Sequence, residues 1–296
     1  MQLGTVRFTC MGSPCELQLY CDTDQHRQAL AEDAIAEARR LEQRYSRYRP
    51  DSLLSQINQL AVQGGCVQVD DETASLLNYA HTCYQHSGGL FDISSGLLRQ
   101  AWDFKSGRLP SQQQINGLLE HIGWHRLHWQ PPLLQLAAGM QLDFGGIVKE
   151  YAADRIASLC KQAGCHHGLI NLGGDIHVLG PHPDGSPWRI GIKHPRSPQT
   201  GPLHIIELTQ GGIATSGDYE RAIEINGKRY GHILNPTTGW PVQHLVAVTV
   251  VAECCVLAGS GATIGMLKEA DGPQWLNSLE LAHLWVDTKG GVGGSL

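Results

Sequence analysis

Apolar positions recur with a helical period in the first half of the chain and in short runs in the second. Over residues 25–44, Leu30, Ile35, Ala38 and Leu41 fall on one face, which predicts an amphipathic helix. Asp51-Ser52 opens a short helix carrying Leu53, Leu54 and Ile57. Residues 71–85 form a third helix, with Ala74, Leu77 and Ala80 inside and Gly88-Gly89 closing it. Ahead of them, Val6 to Phe8 and Glu16 to Cys21 read as a strand pair around the turn Met11-Gly12-Ser13-Pro14.

From residue 125 the pattern changes to strand-length runs between glycine and proline turns. Strands are expected at Leu133 to Ala137, Gln141 to Phe144, Gly168 to Asn171, Ile176 to Leu179, Trp188 to Lys193, His204 to Leu208 and Leu245 to Val251. Gly145-Gly146 breaks the series and Ile147 to Cys160 reads as a helix. Ala258 to Lys268 gives another helix, Leu281 to Val286 a last strand, and Gly290 to Gly294 a loose tail. Helices dominate residues 25–121, strands residues 125–252, and helices with a strand residues 256–286. That segregation predicts an α+β fold in a single domain over 1–296.

Composition narrows the partners. The 296 residues are 42% hydrophobic and 17% charged, with a net charge of −6, so nucleic acid and anionic membranes are excluded as main partners. No run is long and apolar enough for a membrane span. The start Met1 to Cys10 carries no apolar export segment. The nine cysteines are an odd number with no C-x-x-C pair. A cytoplasmic location with buried, reduced thiols is therefore expected. Composition fixes no oligomeric state.

Several polar turns could carry chemistry. Gly173-Gly174-Asp175 is a tight β-turn or a place where a ligand meets the backbone closely. Asp143 to Glu150 runs strand, diglycine, helix start, and a helix N-terminus with Lys149 beside it suits a phosphate as well as an ordinary helix entry. Thr215, Ser216 and Asp218 read as a polar turn that caps itself or bonds the edge of a polar ring. His232 leads into Asn235-Pro236-Thr237-Thr238-Gly239. Tyr45-Ser46-Arg47-Tyr48 and Phe91-Asp92 are further polar-aromatic loops. There is no G-x-G-x-x-G, no P-loop and no H-E-x-x-H. Loops of this kind, spaced along the chain, favour a cleft assembled on a rigid scaffold.

Taken in order, these segments resemble the ApbE family, the FAD:protein FMN transferases. The resemblance runs through Met11-Gly12-Ser13, Tyr45 to Tyr48 with Asp51-Ser52 and Asn58, Gly89 to Asp92, Asp143 to Lys149, Asn171 to Asp175, Trp188 to Ile192, Thr215 to Asp218 and His232 to Gly239. It implies an ApbE-like α+β fold, mixed sheets with peripheral helices around a central FAD cleft. It implies transfer of FMN from FAD to a Ser/Thr hydroxyl of a target flavoprotein subunit, with Mg²⁺ assisting and AMP leaving. FAD contacts are then expected from Met11, Ser46, Asp92, Lys149, Gly173, Gly174, Asp175, Thr215, Asp218 and His232. The N–H groups of Gly173, Gly174 and the Lys149 helix start would face the phosphates, and His232 would be the base. The family places an Asp four residues before a Thr on the last long helix, both on the metal. Here Thr263 is in place, Gly259 stands at the Asp position and Glu150 replaces a common glycine. The metal site expected is therefore Thr263 with the Val148 carbonyl, and Gly259→Asp is expected to raise metal affinity. The missing Asp keeps open a FAD-binding carrier without activity, and His232 with Thr263 would equally serve a FAD pyrophosphatase in which water replaces the protein hydroxyl.

Overall fold

Hairpin geometry sets the first edge of the molecule. In the computed structural model, which describes residues 1–197, 199, 201–218 and 222–296, β1 (Gln2–Cys10) pairs with β2 (Ser13–Cys21) across a two-residue turn. Met11 and Gly12 both take positive φ (52° and 69°), the requirement of a turn whose twist matches its strands. Helix α1 (Asp24–Tyr45) follows, capped by Thr23, and then α2 (Leu53–Ala61), capped by Ser52. After β3 (Gly65–Gln68) comes α3 (Asp71–Ser87), capped by Asp70 and closed by Gly88 in the left-handed region. A 3₁₀ segment (Ile93–Gln100), α4 (Gln112–Leu119), β4 (Leu127–Gln130) and β5 (Leu133–Leu136) lead to α5 (Val148–Gln162).

Strands then predominate: β6 (Gly168–Leu172), β7 (Asp175–Gly180), β8 (Trp188–Lys193), β9 (Pro202–Leu208), β10 (Gly211–Gly217), β11 (Ala222–Ile225), β12 (Lys228–Gly231) and β13 (Leu245–Ala252), of which β8–β9 and β11–β12 form separate two-stranded ribbons. Helices α6 (Cys255–Leu267) and α7 (Gly272–Ser278) precede β14 (Ala282–Asp287) and β15 (Val292–Gly294). Eight strands form one antiparallel sheet in the order β1-β2-β6-β7-β10-β13-β14-β15. One face is covered by α1, α5 and α6, burying Leu17, Leu19, Ile170, Val248 and Val250 against Ala34, Ala38, Ala153 and Ile156. On the other face the β8–β9 ribbon lays Trp188, Ile192 and Ile206 over Leu169, Val178, Ile213 and Val286. Burial of these apolar surfaces is the main force holding the layers together.

Three sequence expectations change. Residues 214–217 are not a turn: Ala214 to Gly217 lie in β10, between β7 and β13 in the middle of the sheet. Its small residues hide the strand pattern because α6 packs directly on it; a Cβ at Gly212 would lie 2.3 Å from the Cys255 amide nitrogen. Gln141 to Phe144 is not a strand, because a side chain takes the partner's place. Asn58 accepts from the Leu142 N–H (2.7 Å) and donates to the Leu142 carbonyl (3.0 Å). The glycine-rich tail is not loose: β15 pairs with β14, and Asp287 accepts from the Gly291 N–H at 2.7 Å.

All nine cysteines are free, and all but Cys66 and Cys254 are buried or nearly so. Burial pushes the Cys160 thiol up to about 12, so it is inert at neutral pH. Among the described residues no helix is long and apolar enough to cross a membrane.

Candidate active site

An open cleft of about 1600 Å³ lies where the β1–β2 turn, the end of α1, the start of α5, the β6–β7 turn, β10 and the loop after β12 converge. Met11, Ser46, Asp92, Val148, Lys149, Gly173, Gly174, Asp175, Thr215, His232 and Thr263 all lie in its wall. Residues spread over more than 250 positions of sequence thus share one hollow. Asp218 is not brought to that wall. Its carboxylate is taken by the Arg196 guanidinium in two bonds of 2.7 and 2.6 Å, which pins the end of β10 to the loop after β8.

The diglycine turn has a different job from the one expected. Gly173 and Gly174 take positive φ (67° and 102°). The Gly173 N–H donates to the Pro14 carbonyl (3.0 Å) and the Gly174 N–H to Asn171 Oδ1 (2.8 Å). Both donors are spent inside the protein, so the turn gives access and not phosphate bonds. A Cβ at Gly174 would meet nothing within 4 Å, which leaves the turn bare toward a ligand. The anion-binding features left are the start of α5, where Ile147 offers no side-chain cap, and Lys149 itself. The opposing turn is held at Met11, whose N–H donates to Glu42 on α1 at 2.7 Å.

Charge concentrates at one end. Lys149 Nζ lies 2.7 Å from Asp175 Oδ2, and Asp175 is buried. Glu150 is only 7% exposed, and its Oε2 has no hydrogen-bond partner among the described residues. Burial, first, and the neighbouring Asp175 charge push the Glu150 carboxyl well above its ordinary range, against the pull of Lys149. Its side chain occupies the space beside Gly259: a Cβ there would lie 2.6 Å from Glu150 Cγ. Gly259→Asp alone would therefore collide with Glu150 and add a third carboxylate to two. A gain in metal affinity from Gly259→Asp therefore requires the Glu150 side chain to give way.

Hydroxyls line the strand side. Thr215 and Thr249 oxygens are 2.8 Å apart across β10 and β13, and Ser216 Oγ is 2.7 Å from Thr263 Oγ1 on α6. No group of three or more His, Cys, Asp or Glu side chains suited to a metal occurs among the described residues. The oxygens present are one orphaned carboxylate and a hydroxyl pair. That hard set fits Mg²⁺, which keeps waters and substrate phosphates as its remaining ligands.

The far wall is built for rigidity. After His232, the Ile233 carbonyl accepts from the Val242 N–H (3.0 Å), and Asn235 Oδ1 accepts from the Thr237 N–H (2.9 Å). Trp102 donates its indole N–H to the Gly239 carbonyl at 2.8 Å, anchoring that turn to the layer below. Asp92 is buried and committed: it accepts from Ser94 N–H, Ser94 Oγ–H and Trp124 N–H at 2.7–2.9 Å. It shapes the wall through the backbone it holds. The Ser46 carbonyl accepts from Ser52 Oγ–H (2.7 Å), fixing the bend after α1.

A model of the ApbE family matches residues 11–285. The chain belongs to the ApbE family. A relative from Chlamydia trachomatis called FAD:protein FMN transferase is 31% identical over 280 residues, covering 88% of this chain and 85% of its own. One of the same name from Escherichia coli K12 is 29% identical over 232 residues, covering 75% of this chain. The match spans 66% of that relative's own length. Among solved structures, the ApbE protein of Thermotoga maritima superposes with a TM-score of 0.91 at 28% identity, covering 99% of this chain and 97% of that one. The apo flavinyl transferase ApbE of Pseudomonas stutzeri gives 0.89 at 29% identity, with 99% and 95% coverage. The ApbE fold thus extends over nearly all of the chain.

Two cleft features of this ApbE member escaped the sequence. Arg47 bonds Asp143 (2.8 Å) and the Gly96 carbonyl (2.7 Å), joining three distant segments beneath the floor. No local pattern pairs residues 96 positions apart. Glu150 was visible as a departure from the family but not as a cleft group. The signal was there in the paired exchange, Glu for Gly at 150 and Gly for Asp at 259, once the two helices are known to touch.

Proposed function

We propose that this chain is a FAD:protein FMN transferase, moving FMN from FAD to a Ser or Thr hydroxyl of a target flavoprotein with release of AMP. One observation carries the reading: a single cleft gathers an imidazole, a threonine-bearing strand, an uncapped helix start with its lysine, and an oxygen-rich end. Lys149 and the first turn of α5 would hold the diphosphate, the lysine as a point charge and the helix through the positive end of its dipole. Thr215 would meet the isoalloxazine edge, its hydroxyl oriented by Thr249. His232 would take the proton of the acceptor hydroxyl as that oxygen attacks the FMN phosphorus, with AMP departing on the far side. Mg²⁺, held by oxygens at the Ser216–Thr263 end, would neutralise charge on the diphosphate. Asp218 would act on this site only by securing β10.

The test is AMP release from FAD and Mg²⁺, with and without a peptide bearing a Ser/Thr acceptor. Release that needs the peptide, with FMN mass added to it, supports the transferase. Release without an acceptor selects the pyrophosphatase, and bound FAD with no release selects the carrier.

A further inference from the structure

The reading above needs a divalent cation, and this inference rests on it. The helix that would present an Asp to the metal has Gly259 instead, one turn before Thr263 on the same face of α6. A carboxyl nevertheless stands at that spot. Beside the Cβ position of Gly259 lie Glu150 Cγ at 2.6 Å, Oε1 at 2.8 Å and Cδ at 2.9 Å. Glu150 reaches there from the first turn of α5, lines the cleft together with Ser216 and Thr263, and is more than nine-tenths buried. Its Oε2 finds no hydrogen-bond partner among the described residues.

Filling space does not explain this residue. An apolar side chain would fill the gap beside Gly259 without the cost of stripping water from a carboxyl oxygen, Oε2, that gains no partner. The neighbouring charge makes matters worse, since Asp175 is a second acid and Lys149 already pairs with it. Glu150, Asp175 and the Lys149 ammonium thus share one end of the cleft with the Ser216–Thr263 hydroxyl pair. A divalent cation there would give the uncommitted Glu150 Oε2 a partner.

We propose that Glu150 on α5 supplies the carboxylate ligand for the divalent cation that α6 lacks at Gly259, completing an all-oxygen site with Thr263. The carboxylate has changed helices while its place in the cleft is kept. Gly259 is then required by Glu150, since any larger residue would displace it.

The test is Mn²⁺ binding to the full chain, followed by the electron paramagnetic resonance of free Mn²⁺, with and without FAD. FAD binding is followed separately by flavin fluorescence. Wild-type protein should take up one Mn²⁺ when FAD is present. Glu150→Gln should keep FAD binding but weaken Mn²⁺ binding by roughly tenfold or more. The double variant Glu150→Gly with Gly259→Asp, which moves the carboxylate back to α6, should recover Mn²⁺ affinity to within about threefold of wild type. Unchanged Mn²⁺ affinity in Glu150→Gln overturns the inference and leaves the transferase reading standing. If Glu150→Gln does not fold, a folded double variant that binds FAD without Mn²⁺ overturns it equally. Wild-type protein that binds FAD but no Mn²⁺ removes the magnesium reading and this inference with it.

Discussion

Lys149 Nζ lies 2.7 Å from Asp175 Oδ2, and that contact ties the start of α5 to the β6–β7 turn at the charged end of the cleft. Lys149→Met should weaken FAD binding by roughly tenfold, about 1.4 kcal/mol. It should also cost about 2–3 kcal/mol of stability by stranding a buried carboxylate. The two effects separate in Lys149→Met with Asp175→Asn, which should regain stability in urea but not FAD affinity by fluorescence titration.

Gly259 gives a prediction whose sign depends on another residue. Alanine in a helix is favoured over glycine by about 1 kcal/mol. The 2.6 Å approach to Glu150 Cγ reverses that, so Gly259→Ala should destabilise by about 1–3 kcal/mol. In a Glu150→Ala background the obstruction is gone and Gly259→Ala should stabilise. Thermal unfolding of the four proteins checks it, and equal effects in both backgrounds would contradict the packing described.

His232→Ala should lower peptide-dependent AMP release by roughly 10²–10⁴-fold, the worth of a positioned base. FAD affinity should stay within a few-fold. A variant that loses binding and turnover together would place the imidazole in flavin binding and not in proton transfer.

Acid should loosen the contact between α1 and α3. Arg40 bonds Glu37 (2.7 Å) and Glu72 (2.6 Å), and these bonds hold both carboxyls below their ordinary range. A depressed carboxyl gives stability that is present above its unfolded pKa and is lost as pH falls through its folded one. The loss should therefore begin below about pH 4.5. Arg40 is 41% exposed, so screening limits the gain, and Arg40→Gln should cost about 1 kcal/mol at pH 7. Urea unfolding should show the gap between wild type and variant closing toward pH 2.5 or so.

Much of the architecture could be read from the chain. Helices α1, α2 and α3 follow from periodic leucines and alanines with Ser, Thr or Asp caps, because period and capping are local properties. The paired strands β6 and β7 follow from apolar runs around two glycines. Strand β10 could not be read, since its glycines, alanine and hydroxyls are chosen by the helix lying on it and not by strand propensity. Residues 141–144 misled for the opposite reason: an apolar run was satisfied by one asparagine and not by a neighbouring strand.

The order of the motifs, by itself, determined the family and therefore the fold, since residue types and spacing survive where overall identity is low. It also marked most of the residues that meet in the cleft, with Asp218 as the exception and Glu150 unmarked. Only the tertiary structure decided which partners each one has there. Hydrogen-bond partners and close contacts come from other elements, so it took the fold to show that the diglycine N–H groups are already used and that Asp218 belongs to Arg196. The same fold places the carboxyl of Glu150 against the bare face of Gly259.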